Sequence, residues 1–405
     1  MSEVTRNRAE LAKEKKALFG TDVDLRQYEL PADNKAGIVK PESLSEEDRK
    51  KIISSGVDLA DPNRAGTFLQ ADHRIVHCAA KQPGLEVLPM AEALEKHPWL
   101  EKFYWQAVHV DADKYTAQAE LHFQNGYFIR AQAGQRVTTP IQACLYMRHE
   151  NTAQNVHNII IAEEGSELHI ITGCATAPSL KSGLHIGISE IYVQRGAKLT
   201  FTMIHDWAEE VMVRPRSGIV VEENGVFLSN YVCLKPVRSL QMYPTTRLTG
   251  PGATARFHSV LLAPPGCELD TGARVILEAP QTRAEIIART ITTGGSIKAR
   301  GHLRGLKPDV KAHLECHGLI LAEDGVIHAI PELEGQTAGA EMSHEAAVGK
   351  IAEEEIEYLM ARGLTEEEAT STIVRGFMNV RIEGLPPELQ AEVDRAIEES
   401  EMSML

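Results

Sequence analysis

Glu164-Gly165-Ser-Glu-Leu-His-Ile170 and Arg195-Gly196-Ala-Lys-Leu-Thr-Phe201 share one pattern: a polar residue, a turn glycine, then an alternating strand. The unit returns at Asn224-Gly225-Val-Phe-Leu228, Pro251-Gly252-Ala-Thr-Ala-Arg-Phe257, Gly294-Gly295-Ser-Ile-Lys-Ala299 and Asp324-Gly325-Val-Ile-His-Ala-Ile330. Successive glycine gaps are 31, 29, 27, 43 and 30 residues, and Pro265-Gly266-Cys-Glu-Leu269 falls inside the long one. A unit of about 30 residues with short strands and no crossover helix cannot bury its own apolar face, so neighbours must stack into a β-solenoid. An antiparallel β-sandwich with regular turns is the alternative. Periodicity does not choose the handedness.

Outward from this core, strand texture runs over residues 105–341, between a helical and mixed region at 1–104 and a helical tail at 342–405. Two N-terminal helices are expected, Arg6 to Phe19 and Ser45 to Ser54, the second opening on a Ser-Glu-Glu-Asp cap. After Met342, Val348, Ile351, Ala352, Ile356, Leu359 and Met360 recur at helical steps until Gly363 stops them. Thr365-Glu-Glu-Glu368 is a capping box for a second helix, and Pro386-Pro387 starts a third.

The 405 residues carry a formal charge of −15, which repels nucleic-acid phosphates and anionic lipid, so neither nucleic acid nor membrane is an expected partner. The N-terminus has no apolar signal region and no segment approaches a membrane span, so a cytoplasmic location is expected. Cys78, Cys144, Cys174, Cys233, Cys267 and Cys316 form no CxxC pair and read as free thiols.

The densest chemistry is His313-Leu-Glu-Cys-His-Gly-Leu-Ile-Leu321. On a strand, Leu314, Cys316, Gly318 and Ile320 share one face, and His313, Glu315 and His317 the other. Cys316 therefore points away from its histidines and is either a buried small hydrophobe or a ligand whose partners come from another segment. Ser343-His344-Glu345 is the second candidate, with Ser343 as a natural N-cap at the junction of core and tail, and Glu345 either a ligand or a complement to the helix dipole. Imidazole and carboxylate complement a thiolate around iron or zinc. Gly349-Lys350 is no Walker A loop, since His344 and Ile351 stand where glycine and Ser or Thr are needed. Nucleophile-elbow, HExxH and GxGxxG motifs are absent as well. Cys174, in Ile171-Thr-Gly-Cys-Ala-Thr-Ala-Pro178, has no cation beside it in sequence to favour a thiolate.

Several of these pieces resemble the SufB/SufD family of iron-sulfur cluster assembly scaffolds, on the SufB side and in its short ancestral form, SmsB. They are Gly173-Cys174-Ala175, His205-Asp206-Trp207, Cys316-His-Gly-Leu-Ile-Leu321, Ile330-Pro-Glu-Leu333, His344-Glu-Ala-Ala-Val-Gly-Lys-Ile351, Tyr358-Leu-Met-Ala-Arg-Gly-Leu364 and Arg375-Gly-Phe377, within a similarity spanning about residues 55 to 382. The resemblance implies a right-handed parallel β-helix flanked by helical regions, paired with a second subunit and docked through its C-terminal helices on an ABC-type ATPase, SufC or SmsC. It implies Cys316, Glu345 and His344 as ligands of a transient iron-sulfur cluster destined for acceptor apoproteins, and Cys174 as the point where sulfur enters. Because SufB and SufD divide the ligands that this chain carries together, a homodimer in a 2:2 complex is expected. The chain departs from longer SufB forms in lacking their cysteine-rich N-terminal motif, which counts against flavin binding and persulfide delivery and leaves free sulfide as donor. Other readings are a non-ligating SufD-like structural subunit and, in a different class, a β-helix enzyme acting on polysaccharide. Cluster type and the roles of His313, His317 and His328 stay open.

Overall fold

Glycine sits at the solenoid turns because the backbone there enters the left-handed region: φ is 65° at Gly165 and 66° at Gly196. At the next turn the left-handed residue is Asn224, with φ of 54°, a conformation asparagine tolerates better than most side chains. The computed structural model describes residues 3–30 and 44–378. Each strand leaving a turn pairs in parallel with its counterpart one coil on, so Lys198 lies beside Glu167 and Val226 beside Lys198.

The first sheet runs, in spatial order, Arg74–Ala80, Gly66–Ala71, Ile141–Met147, Glu167–Thr176, Lys198–Asp206, Val226–Cys233, Thr254–Ala263, Arg283–Thr292, Lys311–Ile320 and Glu341–Gly349. A second sheet of 11 strands faces it. Together they make a parallel β-solenoid of about 8 turns with helices at both ends. Parallel pairing removes the sandwich alternative. The antiparallel pairs among the described residues are Gly66–Ala71 with Arg74–Ala80 and Leu85–Pro89 with Tyr127–Ala131, at the N-terminal end.

Alternation places Leu199, Phe227, Leu269, Leu303 and Leu314 inside the coil as one core, each fully buried apolar side chain contributing about 1.5–3 kcal/mol. A second apolar cluster joins the N-terminal helices to the outside of the second sheet through Tyr115, Ile159, Ile186 and Ile188. Here the fully buried Glu190 accepts the backbone N–H groups of Trp105, Gln106, Ala107 and Val108 at 2.5–3.1 Å, and its Oε2 lies 2.8 Å from His157 Nε2. One carboxylate thus satisfies four donors of a segment without regular structure, which fastens that segment to the solenoid.

The helices are α1 (Glu3–Ala12), α2 (Glu46–Ser54), α3 (Met90–Lys96), α4 (Lys114–Leu121), α5 (Glu353–Met360) and α6 (Glu366–Met378). No helix among the described residues is long and apolar enough to cross a membrane. Expected caps form at two of them. Ser45 and Asp48 close a capping box on α2, and the Glu368 N–H donates to Thr365 Oγ1 at 3.2 Å while the Thr365 N–H donates to Glu368 Oε2 at 2.8 Å. Gly363 turns the chain between α5 and α6 at φ 100°.

Three boundaries differ from the sequence reading. The helix expected over Arg6 to Phe19 ends at Ala12, because the small residues Ala9 and Ala12 pack inward while Leu11 is 90% and Leu18 82% exposed. Strands begin at Gly66, well before residue 105, and α4 lies inside the stretch assigned to the core. Residues 341–349 are strand, so the tail becomes helical at Glu353, not after Met342. Here the backbone of Lys311–Ile320 offers a ladder from Glu341 to Gly349, and a completed ladder outweighs weak helical periodicity. The helix expected from Pro386-Pro387 lies outside the described residues.

Candidate functional site

Strand Lys311–Ile320 is the next-to-last of its sheet, and its burial alternates as expected: Leu314 and Cys316 are buried, His313, Glu315 and His317 half-buried on the outer face. Cys316 is 3% exposed, and burial, aided by the negative charge of Glu315, pushes its thiol up to about 11. At neutral pH it is a thiol, which would have to lose its proton before binding any metal.

The last strand, Glu341–Gly349, fixes the relation of the other two candidates. Register pairs Leu314 with His344, Glu315 with Glu345 and Cys316 with Ala346. Paired residues of parallel strands project to the same side. His344 therefore shares the face of Cys316, whereas Glu345 lies on the outer face with Glu315. Ser343, expected to cap a helix, instead lies with its Oγ 2.8 Å from His313 Nδ1 across the strand pair. Both His344 and Glu345 are exposed. Glu345 Oε1 lies 3.7 Å from His317 Nε2, and Glu315 is ion-paired with Arg289. His328 is exposed on strand Val326–Gly335 of the other sheet. Among the described residues no three His, Cys, Asp or Glu side chains converge to hold a metal. One chain does not bring Cys316, His344 and Glu345 together.

Cys174 faces the coil interior at 3% exposure, and burial pushes its thiol up to about 12. It stands in a register row with His205 and Cys233 on the two following strands. The Tyr231 hydroxyl lies 2.8 Å from His205 Nδ1, and burial lowers that imidazole well below its ordinary value. The sequence reading did not group these residues, although their spacing of one coil is a signal that the glycine period contains. The residues around Cys174 have a mechanical role too. A Cβ on Gly173 would lie 2.4 Å from the Ser55 carbonyl oxygen, just past α2, and Asp206 accepts from Lys51 Nζ at 2.6 Å and Ser54 Oγ at 2.8 Å. Gly173 and Asp206 thus seat α2 on the outer face of the first sheet.

On the outside of that sheet, Val374 and Met378 of α6 join Ile204, Val232 and Val260 in one apolar cluster. The cluster extends to Leu319 on the Cys316 strand.

The described residues thus form a parallel β-solenoid whose first sheet carries an inward thiol, Cys316, on its next-to-last strand and the imidazole of His344 and the carboxylate of Glu345 on its last. Residues 145–377 match the family model described as SUF system FeS cluster assembly, SufBD core domain. The chain is 48% identical over 402 residues, 98% of each chain, to an "Iron-sulfur cluster assembly SufBD family protein" of Methanothermobacter thermautotrophicus. It is 49% identical over 358 residues to one of Archaeoglobus fulgidus, covering 88% of this chain and 96% of that one. A Pyrococcus horikoshii relative of the same description is 30% identical over 340 residues, 82% of this chain and 76% of its own. The chain belongs to the SufBD family of iron-sulfur cluster assembly proteins.

Proposed function

We propose that this chain is a scaffold subunit of a SUF- or SMS-type complex, SufB-like and nearest to the SmsB form, without nucleotide hydrolysis of its own. It assembles a nascent iron-sulfur cluster as cargo and passes it to apoproteins, driven by a SufC- or SmsC-like ABC-type ATPase docked on the C-terminal helices. The observation that carries this reading is the C-terminal end of the solenoid. Among the described residues strand Glu341–Gly349 pairs with one strand and ends the sheet, and the residue it stacks on Cys316 is Ala346, a single methyl group.

A second copy meeting this end would bring two Cys316 thiols together with His344 and Glu345 from both subunits, in a homodimer within a 2:2 complex. Iron-sulfur clusters are held by thiolates, and nitrogen or oxygen donors bind iron more weakly. One thiolate per subunit with weaker donors makes a site that builds a cluster and then releases it. Cys174, in line with His205 and Cys233 inside the coil, would mark the point where free sulfide enters, the sulfide keeping its oxidation state and losing its protons as it binds iron, with no persulfide formed on the thiol. The opposite facing of Cys316 and Glu345 within one chain favours one second reading, a non-ligating SufD-like subunit.

Anaerobic reconstitution with iron and sulfide beside the partner ATPase separates the two. Cys316→Ser and Glu345→Ala should lose cluster absorption, and undiminished absorption in Cys316→Ser would sink the scaffold reading. Deletion of residues 350–405, which spares the last strand, should abolish ATPase co-purification. A measured mass with one copy per ATPase pair would refute the homodimer.

A further inference from the structure

The outer face of the first sheet changes character along a single register row. Ile204, Val232 and Val260 follow one another in that row, which continues through Arg289 and His317. The three apolar residues share one apolar cluster with Val374 and Met378 of α6. Arg289 stands at the border, its side chain 20% exposed. On the helix side its guanidinium lies 5.7 Å from the ring centre of Phe377. On the other side it is ion-paired with Glu315 on the Cys316 strand.

From Glu315 the contacts continue toward the last strand. Glu315 Oε1 lies 3.6 Å from His317 Nδ1, and His317 Nε2 lies 3.7 Å from Glu345 Oε1. His313 Nε2 waits 3.9 Å from Glu315 Oε2 on the opposite flank. A continuous line of side chains therefore runs from α6 to Glu345: Phe377, Arg289, Glu315, His317, Glu345. The Arg289–Glu315 link is an ion pair whose strength depends on how well it is shielded from water, and the next two are side-chain contacts of 3.6 and 3.7 Å.

We infer that Arg289 is a positioning residue, the joint through which the seating of α6 sets the strand that carries Glu345. The inference deepens the scaffold reading and rests on it for the importance of Glu345. Arginine suits the place because its planar guanidinium stacks on an aromatic ring while its N–H groups reach a carboxylate, whereas lysine supplies charge alone. When α6 shifts, Phe377 leaves the guanidinium, water reaches the Arg289–Glu315 pair, and Glu315 is released to share itself between His313 and His317. The last strand then loses one of its lateral supports.

Hydrogen–deuterium exchange on the full-length chain tests this without cluster or ATPase. Peptides covering 366–378 and 341–349 are compared with 153–162, a strand of the second sheet outside the α6 cluster, as control. Arg289→Ala and Phe377→Ala should each raise exchange at least about threefold in both test segments and leave the control unchanged. Arg289→Lys should fall between Arg289→Ala and wild type in 341–349, and Phe377→Ala should add nothing there in the Arg289→Ala background. Exchange raised in 366–378 alone, with 341–349 as in wild type, would overturn the inference. If Arg289→Ala also loosens the control strand, Phe377→Ala and Arg289→Lys decide the matter by the same criterion. Failure of the scaffold reading, seen as full cluster absorption in Cys316→Ser, is a separate result that leaves the exchange pattern standing.

Discussion

Cys316 and Glu345 occupy neighbouring strands but opposite faces of one sheet, because Cys316 is in register with Ala346 and Glu345 with Glu315. Side chains on the two faces of a strand pair are separated by the backbone itself, so one ion cannot bridge them within a chain. Among the described residues Glu341–Gly349 is the last strand of this sheet, and the proposed shared site would form there.

Access to Cys316 should therefore depend on the residue stacked over it. Alkylation of Cys316 in the isolated chain should be slow at neutral pH and rise as pH approaches about 11, where the thiolate forms. Cys174, held up at about 12, should react later still. Ala346→Leu should slow Cys316 by about tenfold, equivalent to ~1.4 kcal/mol of barrier. Peptide mass mapping of alkylated thiols across pH checks both statements.

Gly173→Ala should displace α2, since the added Cβ would lie 2.4 Å from both the carbonyl oxygen and Oγ of Ser55. The expected loss is about 1–3 kcal/mol, the usual size of an overpacking penalty. Lys51→Ala should act in the same direction by leaving the buried Asp206 carboxylate with Ser54 alone. Denaturant unfolding of the two variants measures the effects.

Glu190→Gln should cost about 3 kcal/mol or more, because an amide offers one acceptor oxygen where a carboxylate now receives four backbone donors. Fluorescence of Trp105, whose backbone N–H is among those donors, should report a local change before the solenoid melts.

Burial holds the His185 imidazole down to about 3. The unfolded chain binds that proton near pH 6.5. Between these values the unfolded state carries the extra proton, so stability is full above about 6.5 and falls as pH drops toward 3. The urea midpoint should decline through this window. His185→Gln should flatten the decline, since glutamine has no proton to take up.

The turn glycines and strand alternation made the solenoid legible, and the Ser45 and Thr365 caps marked their helices correctly, because each is a local backbone demand met by local chemistry. The alternation that turned Cys316 away from His313 and His317 was likewise visible. The fate of residues 341–349 was not legible: Ser343 looked like a helix cap, yet its hydroxyl sits at His313 and its backbone completes a ladder begun at Lys311. The row of Cys174, His205 and Cys233 also escaped notice, although one coil separates each from the next.

By itself the sequence determined the repeating unit, the separation of Cys316 from the face of His313 and His317, and the family, since these follow from spacing, hydrophobic alternation and residue identity. Tertiary structure alone decided that His344 shares the face of Cys316 and Glu345 does not, and that Arg289 stands between α6 and Glu315. Register between strands and the seating of a helix on a sheet depend on backbone pairing and packing over the whole coil, and a shift of one residue would have exchanged the faces of His344 and Glu345.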